Sequence, residues 1–249
     1  TKGPRNVTPA VLKDLTGVEA SKFAPKKWGI SGTSTLMLLA SLAGLSSLVS
    51  NGIDLRPKLA IILGLGVLDA IYLGGSGLAQ VVSLWPPYKR RVIVHEAGHL
   101  LTAYLLGCPI RGVILEPWQA IQMGIQGQAG TQFWDKTLES ELHEGRLTSA
   151  SFDRYCMVLF AGIAAETLIY GDAEGGENDE NLFKAIVSLL RPPWSTAQMS
   201  NQARWAVMQS YNLLKKNKFA HKVAVKALEK SNNLGFVIRK IEDALAAGQ

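Results

Sequence analysis

Two histidines four residues apart with a glutamate beside the first, His95-Glu96-Ala97-Gly98-His99, constrain this chain more than any other stretch of it. On a helix that spacing sets both imidazoles on one face, one turn apart, where they can share a zinc ion. It also leaves Glu96 within reach of a water held there. Val92, Ile93 and Val94 precede the motif and Leu100, Leu101, Ala103, Leu105 and Leu106 follow it. The pattern predicts an apolar helix from near Tyr88 to Gly107. The plainer alternative is a core helix whose histidines are only hydrogen-bonded. It would bury two imidazoles and a carboxylate with no metal to compensate their lost hydration, which is costly.

Upstream of the motif the chain asks for a bilayer. Residues 1–32 form a basic N-terminal segment, with Lys2, Arg5, Lys13, Lys22, Lys26 and Lys27, and show only a weak helical pattern around Val11 to Ala20. No charge occurs from Trp28 to Ile53, and Leu36 to Val49 is dense in leucine and alanine. After a turn at Asn51-Gly52 and a polar loop with Asp54, Arg56 and Lys58, a second apolar run extends from Leu59 to Trp85, broken only by Asp69. These runs predict a transmembrane helical hairpin over 33–87, followed by a domain over 88–249. Trp28 beside Lys26-Lys27, and Trp85 and Tyr88 beside Lys89-Arg90-Arg91, put aromatic and basic residues at interface depth. Small residues at helical spacing, Ala40 with Gly44 and Gly66 with Ala70 and Gly74, let two helices approach closely. Asp69 either faces a partner or wet cavity or marks a break near Gly74-Gly75. The positive-inside rule places both outer ends, and with them the motif, on the cytosol-like side.

The formal net charge of +6 fits contact with membrane lipid. No zinc-finger spacing, RNA-binding aromatic signature or arginine-rich arm accompanies it, so no nucleic-acid partner is expected. Cys108 and Cys156 form no C-x-x-C pair and read as buried or free thiols of a reducing compartment. A first residue Thr1 fits either removal of a targeting peptide or an artificial boundary.

Beyond the motif helix, Arg111 to Leu115 reads as a strand, and the glycine- and glutamine-rich Gln122 to Gln132 as its returning partner. Trp134 to Gly145 is a charged, helix-favouring linker. Ser149 or Ser151 is expected to cap one long helix through Tyr170. Three further helices are expected at about 179–190, 195–230 with an internal break, and 233–246. The lysine run Lys215, Lys216, Lys218, Lys222 and Lys226 reads as a solvated face, with anionic lipid or an acidic partner as the alternative.

A catalytic zinc usually has three protein ligands and one open position. Thr102 and Leu105 stand where a metzincin has its glycine and third histidine, and His143-Glu144 meets Leu147 where a second histidine is needed. His221 lies in the lysine-rich helix, where a solvated position is expected. Carboxylates remain, among them Glu174, Glu177, Asp179 and Glu180, although an aspartate opening a helix is also an ordinary cap.

Three segments then resemble a known family. Val94 to His99, Ala161-Gly162-Ile163-Ala164-Ala165-Glu166 followed by Leu168-Ile169-Tyr170-Gly171, and Asn178-Asp179 opening a helix are similar, in order and spacing, to the signatures of FtsH-type (M41) membrane peptidases. The resemblance covers about residues 90 to 245. It implies a mainly α protein, a two-helix transmembrane hairpin followed by an M41-like helical metallopeptidase domain with a small β element. It further implies Zn2+ as cofactor, His95, His99 and Asp179 as metal ligands, Glu96 as the catalytic base and Glu166 as a supporting residue behind the metal helix. The family's AAA+ ATPase is missing: Trp85 leads almost directly into the motif helix, and no G-x-x-x-x-G-K-[ST] occurs, so no ATP is expected to bind. The family's threonine-glycine-alanine lead into the ligand aspartate reads Glu174-Gly175-Gly176-Glu177 here.

With two membrane helices and no motor, the chain looks like the plant, plastid-located FtsH-like proteins. This implies a chloroplast integral membrane protein, of thylakoid or inner envelope, with its peptidase domain on the stromal side. The implied activity is hydrolysis of peptide bonds in unfolded or membrane-protein segments, independent of ATP. Its expected contacts are membrane lipid and protein substrates or partner membrane proteins, in an oligomer or larger complex. The alternative is a catalytically silent peptidase-fold subunit or assembly factor, favoured by the missing ATPase and opposed by the intact His95, Glu96 and His99. An intramembrane site-2-type protease fits less well, because no L-D-G motif occurs and Lys89 to Arg91 place the motif near the interface.

Overall fold

The computed structural model describes residues 5–25, 64, 86–115, 130–133, 136–144, 148–190, 192–231 and 233–248. The chain divides into two compact units, 1–25 with 90–249, and 26–89. Of the second, only Gly64 and residues 86–89 fall among those described. The hairpin expected over 33–87 otherwise lies outside the described residues. Among the described residues no helix is long and apolar enough to cross a membrane.

The first unit is mainly helical. Its elements are α1 (Pro9–Thr16), a 3-10 turn (Ala20–Phe23), α2 (Pro86–Leu105), β1 (Ile110–Ile114), β2 (Gly130–Phe133), α3 (Lys136–His143), α4 (Ser149–Leu159), α5 (Ala161–Tyr170), α6 (Glu177–Ser188), α7 (Thr196–Lys216), α8 (Lys218–Lys230) and α9 (Leu234–Ala247). The motif helix α2 is buried from Ile93 to Ala103 without interruption. The buried stretch includes the polar His95, Glu96, His99 and Thr102 as well as its apolar residues. It stops where Gly107 adopts φ 67° and Cys108 N bonds Ala103 O while Gly107 N bonds Tyr104 O. This left-handed closure turns the chain into β1. β1 pairs antiparallel with β2, Val113 opposite Thr131, with a bulge between Ile110 and Gly112.

α5 runs through the centre, with every residue from Ala161 to Thr167 buried. A Cβ on Gly98 would stand 2.6 Å from both Ala161 O and Ala165 Cβ, so the glycine inside the motif permits the close approach of α2 and α5. The single long helix expected through Tyr170 is two helices, broken at Phe160 (φ −91°, ψ 5°). Phe160 is buried and its ring meets Phe183 of α6 edge-on at 5.2 Å, so packing rather than a glycine or proline ends α4. The cap of α4 is Thr148, whose hydroxyl accepts from Ser151 N at 3.3 Å, instead of either serine named above. The expected break in the 195–230 helix falls at Asn217. A reciprocal Ser195–Gln198 capping box opens α7, and Asn233 caps α9.

The basic N-terminal segment packs against the domain. Leu12 and Phe23 are in the hydrophobic core, Arg5 pairs with Asp153 at 2.6 Å, and Lys22 O accepts from Ala173 N at 2.8 Å. His221 is the opposite of solvated. It is fully buried on α8, with Nε2 3.1 Å from Val94 O, and burial pushes its pKa below the ordinary imidazole range. The lysines beside it point outward while positions 221, 224, 225 and 228 form the buried stripe.

Candidate metal centre

Positions 91, 95 and 99 lie four apart along α2 and so share one face. The two imidazoles meet edge-on, with centroids 4.7 Å apart and planes at 69°. Asp179, in the first turn of α6, reaches both: its Oδ2 lies 3.0 Å from His95 Nε2 and 3.5 Å from His99 Nε2. One ligand atom from each of the three residues lies within 4.8 Å of the others, and this group can hold a metal ion. Glu174, Glu177 and Glu180 are not in the group.

The distal ring nitrogens fix the tautomers. His95 Nδ1–H donates to Glu166 Oε1 at 2.7 Å, and His99 Nδ1–H donates to Val158 O at 2.7 Å, beside the α4–α5 break. Both Nε2 atoms are thereby turned toward Asp179, where they could ligate a metal ion, with second partners of the kind that orient metal-binding histidines. Glu166, 1% exposed, also accepts from Arg91 Nε at 2.5 Å, Glu174 N at 2.9 Å and Gly175 N at 3.1 Å. Both its oxygens accept hydrogen bonds, and it lies outside the group of three residues that could hold a metal ion. Arg91 donates as well to Asp172 O, and its guanidinium lies 4.7 Å from the centroid of the Tyr170 ring.

Backbone proximity shapes the centre. A Cβ on Gly162 would overlap the His95 ring, and one on Gly175 would stand 2.7 Å from Glu166 Oε1. Gly176, at φ 105°, lies against Ile163, and a side chain there would clash as well as be strained. The Gly175-Gly176 pair thus lets the loop pass over Glu166 and start α6 at the position that delivers Asp179.

Charge is concentrated here out of water. Burial opposes ionisation of Asp179, but His99 and His95 outweigh it and hold the carboxyl well below its usual range. Burial likewise opposes protonation of His95, yet Asp179 and Glu166 raise its pKa well above that of a free imidazole. Glu166 is lowered against its own burial, chiefly by His95. In the absence of metal the arrangement favours the charged forms of His95 and Asp179, and a divalent cation held here would take the place of protons.

Glu96, 8% exposed, is held from the sheet: Thr131 N donates to its Oε2 at 2.6 Å. Thr131, Arg91, Val158 O, Gly162 and Gly175 have roles that the sequence reading did not assign. The sequence pattern puts Arg91 at interface depth, whereas its side chain is 14% exposed and paired with Glu166 behind His95. Its position four residues before His95 is the signal that places it there. Thr131 carries no comparable signal. No protein-family model matches the chain, and no curated protein matches it significantly.

Proposed function

We propose that this chain is a membrane-anchored, M41-like zinc metallopeptidase that hydrolyses peptide bonds in unfolded or membrane-protein segments without using ATP. One observation carries the reading: a single carboxylate oxygen of Asp179 stands 3.0 and 3.5 Å from two Nε2 atoms whose other ring nitrogens are already occupied. Donors around a tetrahedral zinc, at about 2.0–2.2 Å each, lie roughly 3.4 Å from one another, so these residues fit the ion. Two neutral nitrogens and one carboxylate, with Glu96 adjacent, match the donor set of catalytic rather than structural zinc sites.

Bound there, zinc supplies a lowered pKa for a coordinated water and polarisation of the scissile carbonyl. His95, His99 and Asp179 would hold it. Glu166 and the Val158 carbonyl keep both imidazoles in the Nδ1–H form, which leaves Nε2 to the ion. Glu96 takes the proton of the attacking water and passes it to the leaving amine, so one water and one peptide bond become a carboxylate and an amine.

The apolar runs and flanking aromatic and basic residues support a membrane anchor over 33–87, and the basic outer ends support a peptidase domain on the stromal face of a chloroplast membrane. No G-x-x-x-x-G-K-[ST] occurs in the sequence, which favours exposed tails and unfolded segments as substrates, met at the membrane or within a larger complex.

The test uses the full chain in detergent, with metal content and casein cleavage measured side by side. The parent is expected to bind one zinc and to cleave. Glu96→Gln is expected to keep fold and zinc while losing at least about 100-fold in rate. A Glu96→Gln protein that cleaves at the parental rate refutes the hydrolase and leaves the silent assembly subunit as the better account.

A further inference from the structure

β2 places one side chain whose position the ligand set does not explain. Thr131 N lies 2.6 Å from Glu96 Oε2, and Thr131 Oγ1 lies 2.9 Å from the same oxygen and 3.2 Å from the Glu96 backbone carbonyl. A hydroxyl has one proton to give, and a bond to a charged carboxylate is about twice as strong as one to a neutral carbonyl. The proton therefore goes to Oε2, which then holds two donors. Among the described residues Oε1 carries no hydrogen bond.

A glutamate has three rotatable side-chain bonds, and a base works only when one oxygen sits within hydrogen-bond reach of the proton it takes. Two donors on one oxygen remove that freedom and divide the labour between the two oxygens. Gly130 adds a second element from the same strand: a Cβ there would contact both carboxylate oxygens at 3.6 Å, so glycine keeps that side of Glu96 open.

We propose that Thr131 is the positioning residue of the general base, clamping Oε2 of Glu96 so that Oε1 is the oxygen that accepts the proton of the attacking water. The proposal rests on the hydrolase reading above. It differs from a role in substrate binding, because Thr131 acts on Glu96, and from a role in metal binding, because it touches none of His95, His99 and Asp179 through the bonds described.

Two measurements decide it. In steady-state peptide hydrolysis by the full zinc-loaded chain, Thr131→Val is expected to lower kcat roughly 10- to 100-fold, the loss of one bond to a charged group. KM and zinc content should stay at parental values, and Thr131→Ser should restore most of the rate. A parental kcat in Thr131→Val, or a loss confined to KM, overturns the proposal. In metal-free chain labelled with 15N-threonine, the Thr131 amide proton is expected far downfield and should move upfield in Glu96→Gln. A resonance that does not respond overturns it independently of any rate. Should the parent hydrolyse no faster than Glu96→Gln, the hydrolase reading fails and the proposal with it. The amide shift then distinguishes that outcome from a Thr131 that never held Glu96.

Discussion

Gly162→Ala puts one methyl group where the His95 ring already is, overlapping Nε2, Cδ2 and Cε1. The ring has little room to retreat, since its Nδ1–H is tied to Glu166 at 2.7 Å and the His99 ring stands edge-on 4.7 Å away. Two effects compete in the metal-free protein. Alanine gains about 1 kcal/mol over glycine inside a helix, and overpacking a dense core costs roughly 1–3 kcal/mol. The net loss is at most about 2 kcal/mol, or a fall in Tm of up to roughly 8 °C at 2–4 °C per kcal/mol for a unit of this size. Metal affinity should suffer far more. Disturbing only the partner of a ligand costs 10- to 100-fold, and here a ligand itself is displaced, so a loss of at least about 100-fold is expected. Zinc competition against a chromophoric chelator, beside a calorimetric melt, measures both. Gly112→Ala is the control, because a Cβ there meets nothing within 4 Å. A Gly162→Ala protein with parental zinc affinity and Tm would show that the backbone of α5 does not support the His95 ring.

Glu166→Gln removes a charge that faces both His95 and the largely buried Arg91. It should cost about 3 kcal/mol in denaturant unfolding and 10- to 100-fold in zinc affinity; unchanged values for both would remove Glu166 from the centre. In the chelated chain, the depressed Asp179 contributes stability above about pH 4 that is lost as pH falls further, and the elevated His95 contributes stability below about pH 6.5 that fades as pH rises. The metal-free Tm is therefore expected to be highest between those limits, and zinc should move the optimum upward because its ligands must be deprotonated; a flat metal-free profile from pH 5 to 8.5 contradicts this. His221→Leu should leave zinc stoichiometry at its parental value, as measured by atomic emission. Leu12→Ala, at a position 1% exposed, should cost about 2–4 kcal/mol in chemical unfolding, whereas a detached N-terminal segment would show no change.

Local signals were readable where a periodic or chemical rule applies to neighbouring residues. The motif helix declares itself by its apolar flanks, and an internal break in the 195–230 helix is expected without a position, which Asn217 supplies. His221 was legible too, because it shares the i, i+3, i+4, i+7 stripe with Ala224, Val225 and Leu228, but the surrounding lysines drew it toward solvent. Arg91 was misread for the same reason: a cation beside a tyrosine looks interfacial until its helical register with His95 is counted. Asp179 was singled out only by family resemblance, since spacing cannot separate it from three nearby glutamates. The break at Phe160 and the clamp from Thr131 depend on contacts with residues 23 and 35 positions away in the chain, Phe183 and Glu96 respectively, and no local rule reports them.

The carbonyl of Lys22 receives both Ala173 N and the hydroxyl of Thr167, partners 145 positions apart in the second case. The N-terminal segment is thus a second fastening for the loop that Arg91 and Glu166 hold from the other side. A cut or deletion that removes Lys22 would therefore be felt at the loop that delivers Asp179, far along the sequence from the lesion.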